Sequence, residues 1–217
     1  MIPQILLEMA AEITNQKPVL PSGSGDGRSD SVAAEDKVIG FLQNWSSQNS
    51  SEWRINSSNI GRRHNRSWYD FSVDNGHKIF CDIKVSDLKG QDNTNAKLAI
   101  YYFLTGKDPD KAPRQWSEFF EDMSSNEKED DNRDYYYLVV SKKTRESFVV
   151  SLKGIAKVRP AHNNPPFQCK WDECRTPISR TWQEARDYLL CKWAKSINNG
   201  IQALESGMPK FYPDFFN

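Results

Sequence analysis

The sequence lacks a long apolar run and an excess of either charge. None of its hydrophobic stretches approaches the roughly 20 residues that a bilayer-spanning helix needs, so we expect no membrane partner. It carries 29 basic and 29 acidic side chains, a formal net charge of zero. This balance excludes a protein that binds polyanions through bulk charge, and any contact with nucleic acid must come from local clusters.

Cysteines are few, and several common motifs are missing. The four cysteines do not form the two closely spaced ligand pairs of a structural zinc site. Residues 1–11 lack the basic and apolar regions of a secretory signal, so reduced thiols and a cytoplasmic location are the expectation. The absence of P-loop, dinucleotide-binding and nucleophile-elbow motifs gives no support to nucleotide-driven work or α/β-hydrolase chemistry.

Hydrophobic periodicity divides the chain into alternating helices and strands. Helices are predicted over residues 3–16, from an N-cap at Ser31, over 96–104, over 116–123, and from Thr181, where Thr181 and Glu184 fit a capping box. Strands are predicted over residues 67–73, 78–86, 135–141 and 147–152. Loops are predicted over the polar or proline-rich residues 21–31, 46–66 and 159–179. This order predicts an α/β fold with a central mixed β-sheet flanked by helices.

Two neighbouring strands carry the residues that suggest chemistry. The residues at 74–77, Asp-Asn-Gly-His, form a strong hairpin signal and would pair these strands antiparallel. Because side chains alternate along a strand, Asp82 and Lys84 project side by side from one face, with Asp70 of the partner strand within reach. The other face of the second strand is apolar: Ile79, Cys81, Ile83 and Val85. Glu35, on the preceding helix, shares the inward face and needs a partner there.

Carboxylates placed so close together favour a bound cation. Two neighbouring carboxylates both stay ionised only if a positive charge lies between them. Oxygen ligands of this kind suit Mg²⁺, with Mn²⁺ as a second possibility. A lysine beside them adds positive charge near a phosphate and can orient or deprotonate a water. The chemistry implied is hydrolysis of a phosphodiester by metal-activated water.

Asp70, eleven intervening residues and the triplet Asp82-Ile83-Lys84 resemble the signature of the PD-(D/E)xK nuclease superfamily, with Tyr69 in place of its proline. The resemblance implies a restriction-endonuclease-like fold in which Asp70 and Asp82 bind the metal together with the backbone carbonyl of Ile83. It also implies that Lys84 positions the attacking water.

Further expectations follow from the same resemblance. Glu35 matches the glutamate that often completes the catalytic set of the family. The chain is most similar to a type II restriction endonuclease, a homodimer that cuts both strands of a short duplex DNA site. Such an enzyme implies a DNA methyltransferase of the same specificity as a cellular partner. Residues 1–217 would then form one nuclease domain, with a catalytic core at about 31–152 and a segment at 159–217 for DNA contact or dimerisation.

Basic and amide side chains are the candidates for contact with double-stranded DNA, because they can bind phosphates or read base edges. For each of them, a solvated loop is an equally good interpretation. The candidates are Arg28, Ser29, Arg62, Arg63, Arg66, Asn93, Asn95, Asn163, Asn164, Gln168 and Lys170.

Two other interpretations stay open. The chain can be a repair or mobile-element-defence nuclease of the same superfamily, for which structure-specific cleavage would argue. It can also be a non-catalytic DNA-binding or interaction protein in which Asp70, Asp82 and Lys84 form a structural ion pair. Such a protein would bind DNA without binding a divalent metal.

Overall fold

The computed structural model describes residues 1–21, 27–49, 54–57, 68–74, 77–161 and 165–211. These ranges contain five α-helices and eight strands, with single 3₁₀ turns at Pro109–Lys111 and Trp171–Cys174. In chain order they are α1 Gln4–Gln16, α2 Gly27–Asn49, β1 Arg54–Ser57, β2 Phe71–Asp74, β3 Lys78–Ser86, β4 Asp92–Asn93, α3 Lys97–Thr105, α4 Trp116–Ser125, β5 Tyr136–Ser141, β6 Ser147–Ser151, β7 Arg159–Pro160, β8 Phe167–Cys169 and α5 Trp182–Phe211.

The strands form one larger mixed sheet and one small antiparallel sheet. The larger sheet has the order β1-β2-β3-β5-β6, and only its β3–β5 pair is parallel. The connection between β3 and β5 contains α3 and α4, as a parallel pair requires a long crossover. The small sheet has the order β4-β8-β7. The α/β class with a central mixed sheet flanked by helices is therefore confirmed.

Each face of the main sheet has its own apolar core. On one face, α1 and α2 pack against the sheet through residues such as Leu6 and Val38. On the other face, α3, α4 and α5 surround a core that includes Phe80 and Tyr137. Alternation along β3 places Ile83 in the first core and turns the neighbouring polar side chains toward the second face. The division of β3 into two faces agrees with the sequence prediction.

Several helices match their predictions. The two helices predicted over 96–104 and 116–123 are present as α3 and α4. The capping box at α5 is also present. The Thr181 amide donates to Glu184 Oε2 at 2.8 Å, and the Glu184 amide donates to Thr181 Oγ1 at 3.2 Å. This reciprocal pair satisfies two amides that have no partner within the helix.

The start of α2 corrects the loop predicted over 21–31. The helix begins at Gly27, so Ser31 lies inside it rather than at its N-cap. Arg28 and Ser29, predicted as an exposed loop contact, belong to its first turn, and their side chains lie outside the described part of the structure. Glycine and serine have low helix propensity, but burial of the apolar stripe that follows them outweighs this preference.

The strands also differ from prediction. The strand predicted from residue 67 begins at Phe71, and residues 68–70 form a bend. The segment 46–66, predicted to be irregular, contains β1, whose only apolar residue is Ile55. The small sheet was missed as well, because its strands are two or three residues long and too short to show a period.

Asp134 ties the start of β5 to the chain that follows β6. Its carboxylate accepts hydrogen bonds from the amides of Tyr135 and Lys153, at 2.8 and 2.9 Å, and from the hydroxyl of Ser151. Burial raises the pKa of this carboxyl to about 6, against the opposing effect of these hydrogen bonds. Ionisation of Asp134 at neutral pH therefore lowers the stability of the folded state.

We expect Asp134→Asn to flatten the pH dependence of stability. The pKa of Asp134 rises from 3.8 to about 6 on folding, so its stabilising contribution is complete below about pH 4 and is lost as the pH rises through 6. Relative to the asparagine variant, the wild type should lose about 3 kcal/mol of unfolding free energy between these limits. Denaturant unfolding at pH 4 and pH 8 measures the difference, and parallel profiles for the two proteins would contradict it.

Candidate active site

The pairing of β2 with β3 ends beside two acidic residues, Asp70 and Asp82. The paired register ends at Phe71, opposite Cys81, and Asp70 is the residue just before it. The Asp70 amide still donates to the Cys81 carbonyl at 3.0 Å. This hydrogen bond holds the backbone of Asp70 against β3, although β2 itself begins only at Phe71.

The Asp70 carboxylate takes the place of a strand partner for Ile83. Asp70 Oδ2 accepts a hydrogen bond from the Ile83 amide at 2.7 Å. The amide and carbonyl of one strand residue face the same edge, so the Ile83 carbonyl is also directed toward this opening. The geometry brings the proposed backbone ligand and Asp70 to one edge of β3.

Asp82 and Lys84 form a largely buried ion pair on one face of β3. Lys84 Nζ lies 3.0 Å from Asp82 Oδ2, and only 14% of each side chain is exposed. Residues two apart on a strand share a face, as the sequence predicted. Because so little of this ion pair is exposed, packing against the sheet fixes the positions of the two side chains.

Glu35, on α2, adds a negative charge that affects both Asp70 and Lys84. Burial raises the pKa of Asp70 well above its usual value, and the Asp82 and Glu35 carboxylates raise it further, against Lys84 and the Ile83 amide. Burial lowers the pKa of Lys84, but Asp82, Asp70 and Glu35 together raise it above its ordinary value. Lys84 is therefore an ammonium at neutral pH. Three carboxylates and one ammonium leave a formal excess of two negative charges when all are ionised.

Tyr135 is a neighbour of the site that the sequence did not single out. Its buried hydroxyl donates to the Trp68 carbonyl at 3.0 Å. Burial raises the pKa of this hydroxyl well above its ordinary value, and the Asp82 carboxylate beside it raises it further. Tyr137 lies next to Asp82 in the parallel β3–β5 register. The pattern of the chain predicted both tyrosines as strand residues, but their place beside Asp82 depends on a pairing that only the fold reveals.

The donor set fits a hard divalent cation. Carboxylates and a backbone carbonyl are the oxygen ligands that Mg²⁺ prefers, and the excess of two negative charges that exists when all three carboxylates are ionised matches its charge. Among the described residues, no three His, Cys, Asp or Glu side chains converge as a ready-made ligand cluster.

The candidate DNA-contacting residues are spread over the fold. Asn93 and Gln168 face each other on β4 and β8, where Gln168 Nε2 donates to Asn93 Oδ1 at 2.9 Å. Asn95 is exposed, and Lys170 is half-buried just after β8. Of the other seven, Arg28 and Ser29 lie at the start of α2, and five lie outside the described residues: Arg62, Arg63, Arg66, Asn163 and Asn164.

The fold and site define an α/β protein whose central mixed sheet carries a buried cluster of acids with one lysine. No model of a known protein family matches the chain, and no curated protein matches it significantly. Within the described ranges, none of the helices is both long and apolar enough to cross a membrane. The function is therefore argued from the site itself.

Proposed function

We propose that this chain is a Mg²⁺-dependent endodeoxyribonuclease of the PD-(D/E)xK superfamily, with a restriction-endonuclease-like fold. It acts as a type II enzyme that hydrolyses both strands of a short duplex DNA site. One observation supports this above all: Asp70 Oδ2 accepts a hydrogen bond from the amide of Ile83, the residue between Asp82 and Lys84, and Lys84 Nζ lies 3.0 Å from Asp82 Oδ2. The nuclease signature implies the same arrangement of two acids and a lysine.

Each residue of the cluster has a separate role in the proposed reaction. Asp70, Asp82 and the Ile83 carbonyl would hold Mg²⁺ or Mn²⁺, which supplies charge neutralisation and activation of water when bound. The Lys84 ammonium, oriented by Asp82, donates hydrogen bonds to a phosphate oxygen or to the attacking water. Glu35 adds negative charge that keeps Lys84 protonated. Water adds to phosphorus and the bond to the 3′ oxygen breaks, leaving a 5′-phosphate and a 3′-hydroxyl.

Digestion of a supercoiled plasmid with Mg²⁺, followed by sequencing of the ends, tests the proposal. We expect discrete fragments whose ends recur at one short sequence, with both strands cut. Chelation of the metal by EDTA should stop the reaction, because the acids then lack their counter-charge. An absence of cleavage with both Mg²⁺ and Mn²⁺ would refute the proposal.

Cleavage of both strands implies two copies of the catalytic cluster. One cluster per chain hydrolyses one phosphodiester, so the proposed enzyme works as a homodimer, with one cluster for each strand. A DNA methyltransferase of the same specificity would protect the host sites. Light scattering of the protein on a duplex carrying the cut site should give the mass of two chains on one duplex.

One observation favours a non-catalytic alternative. Both carboxylates already have protein partners, since Asp82 pairs with Lys84 and Asp70 binds the Ile83 amide. A DNA-binding protein with a purely structural ion pair would show no heat of Mg²⁺ binding in calorimetry while still binding duplex DNA. A repair nuclease would bind metal but would cut branched DNA in preference to a defined sequence.

A further inference from the structure

The small β4-β8-β7 sheet is attached to the end of the strand that carries Lys84. The Ser86 hydroxyl, two residues beyond Lys84, donates to the Asp92 carboxylate at the start of β4. On the other side of β4, the Thr94 hydroxyl donates to the Phe167 carbonyl at 2.9 Å. The first contact ties β4 to the end of the proposed catalytic strand, and the second ties β8 to the chain that follows β4.

The register of this sheet lines up three polar side chains on one face. Gln168 of β8 pairs with Asn93 on one side and with Arg159 on the other. The neighbouring positions of β8, Phe167 and Cys169, are buried in the core. Because side chains alternate, Asn93, Gln168 and Arg159 form a row on the outer face, which we call the amide–guanidinium row.

The amide–guanidinium row is held in place but keeps unused hydrogen-bonding groups. Gln168 Nε2 donates to Asn93 Oδ1, and Arg159 Nη2 donates to both carboxylate oxygens of Glu173 at 3.2 Å. The Arg159 side chain is 39% exposed. Each amide has two N–H donors and one acceptor, and a guanidinium has five donors, so these contacts use only part of the capacity of the row.

We infer that the amide–guanidinium row reads base edges in the major groove of DNA. This inference rests on the proposed nuclease function. Side-chain amides can pair with adenine and an arginine with guanine, each through two hydrogen bonds. Three side chains on adjacent strands span about 10 Å, close to the three rises of about 3.4 Å that separate a base pair from its third neighbour. The major groove of duplex RNA is too narrow for such contacts, so duplex DNA is the partner that fits.

Selection of bound duplexes from a random-sequence DNA pool, in EDTA to prevent cleavage, tests the inference. The wild type should recover a defined sequence. Asn93→Ala, Gln168→Ala and Arg159→Lys should each lose discrimination at one base pair by about 5- to 150-fold. Their affinity for non-specific DNA should change less than about twofold, because the row reads bases rather than phosphates.

Lys157→Ala is the matched control. Lys157 Nζ also binds Glu173, at 3.2 Å, and its side chain is 57% exposed, but it lies outside the row. This variant should recover the wild-type sequence. Arg159→Lys keeps the positive charge and removes only the two-pronged guanidinium, so it tests reading even if an alanine variant fails to fold. Thermal melting of every variant checks the fold.

The outcomes separate the two proposals. Row variants that recover the wild-type sequence with unchanged discrimination overturn the inference, as does a stronger preference for duplex RNA. A wild type that cuts DNA with no sequence preference overturns the inference and the type II assignment, but leaves the proposed metal-dependent nuclease chemistry standing. A wild type that selects a sequence but cuts nothing with Mg²⁺ or Mn²⁺ supports the row and refutes the nuclease. A wild type that neither binds nor cuts duplex DNA refutes both.

Discussion

Asp82→Asn should lower the rate of Mg²⁺-dependent cleavage by about 10³-fold or more. Asparagine keeps the shape of the side chain but removes the charge that faces Lys84 at 3.0 Å and that would hold the cation. Loss of a single preorganised electrostatic group commonly costs 10²- to 10³-fold, and this residue has two such roles. Single-turnover cleavage of a labelled duplex measures the effect, and binding of that duplex without metal should stay largely intact.

Asp74→Asn provides the matched control for this variant. Asp74 is an exposed carboxylate at the far end of β2, paired across the hairpin with Lys78. It belongs to the same pair of strands but lies away from Lys84, so its loss should leave the cleavage rate within about twofold. Cleavage by Asp82→Asn at the wild-type rate would remove the catalytic assignment, whatever the control shows.

Lys84→Gln should lower the free energy of unfolding by about 3 kcal/mol when no divalent cation is present. The ammonium is the counter-charge for the Asp70, Asp82 and Glu35 carboxylates, and its side chain is only 14% exposed. Its removal leaves those carboxylates uncompensated in a place that water scarcely reaches. Urea unfolding with and without Mg²⁺ measures the effect, and the cation should restore part of the loss because it binds the folded state.

An exposed ion pair gives the comparison for this loss. Lys107 lies 3.1 Å from Asp122, but 44% and 28% of these side chains are exposed. Lys107→Gln should therefore cost less than about 1 kcal/mol. In a double-mutant cycle, Asp82→Asn should recover part of the stability lost in Lys84→Gln, with a coupling of about 1–3 kcal/mol. Equal losses for Lys84→Gln and Lys107→Gln would contradict the electrostatic account of the cluster.

The parts of the site that sequence reasoning found are those that depend on local geometry. Asp82 and Lys84 share a face because two residues separate neighbours on one side of any strand. Asp70 comes close to Asp82 because β2 and β3, neighbours in the chain, pair antiparallel. Glu35 could be placed on the inward side of its helix by the 3.6-residue period alone. These relations hold within about 50 residues of chain and need no knowledge of the remaining fold.

The parts that sequence reasoning missed depend on distant pairing. Tyr135 reaches Asp82 only because β5 runs parallel to β3, a register that no local pattern specifies. The contact between Asn93 and Gln168 joins residues 75 positions apart, on strands of two and three residues. Both side chains were recognised as possible base contacts, but their alignment with Arg159 could not be derived from composition. Long-range register is set by the packed core, which the chain forms as a whole.

Because β2 begins only at Phe71, Asp70 has a second, structural role. If backbone pairing continued for one more residue, the neighbouring strand would satisfy the amide of the fully buried Ile83. The fold would then not require an acid at position 70. In the present structure, a side chain too short to reach Ile83 from position 70 would leave the buried Ile83 amide without an acceptor, which would lower the stability of the fold. An oxygen-bearing side chain at position 70 is therefore needed by the fold, whether or not the proposed chemistry takes place there.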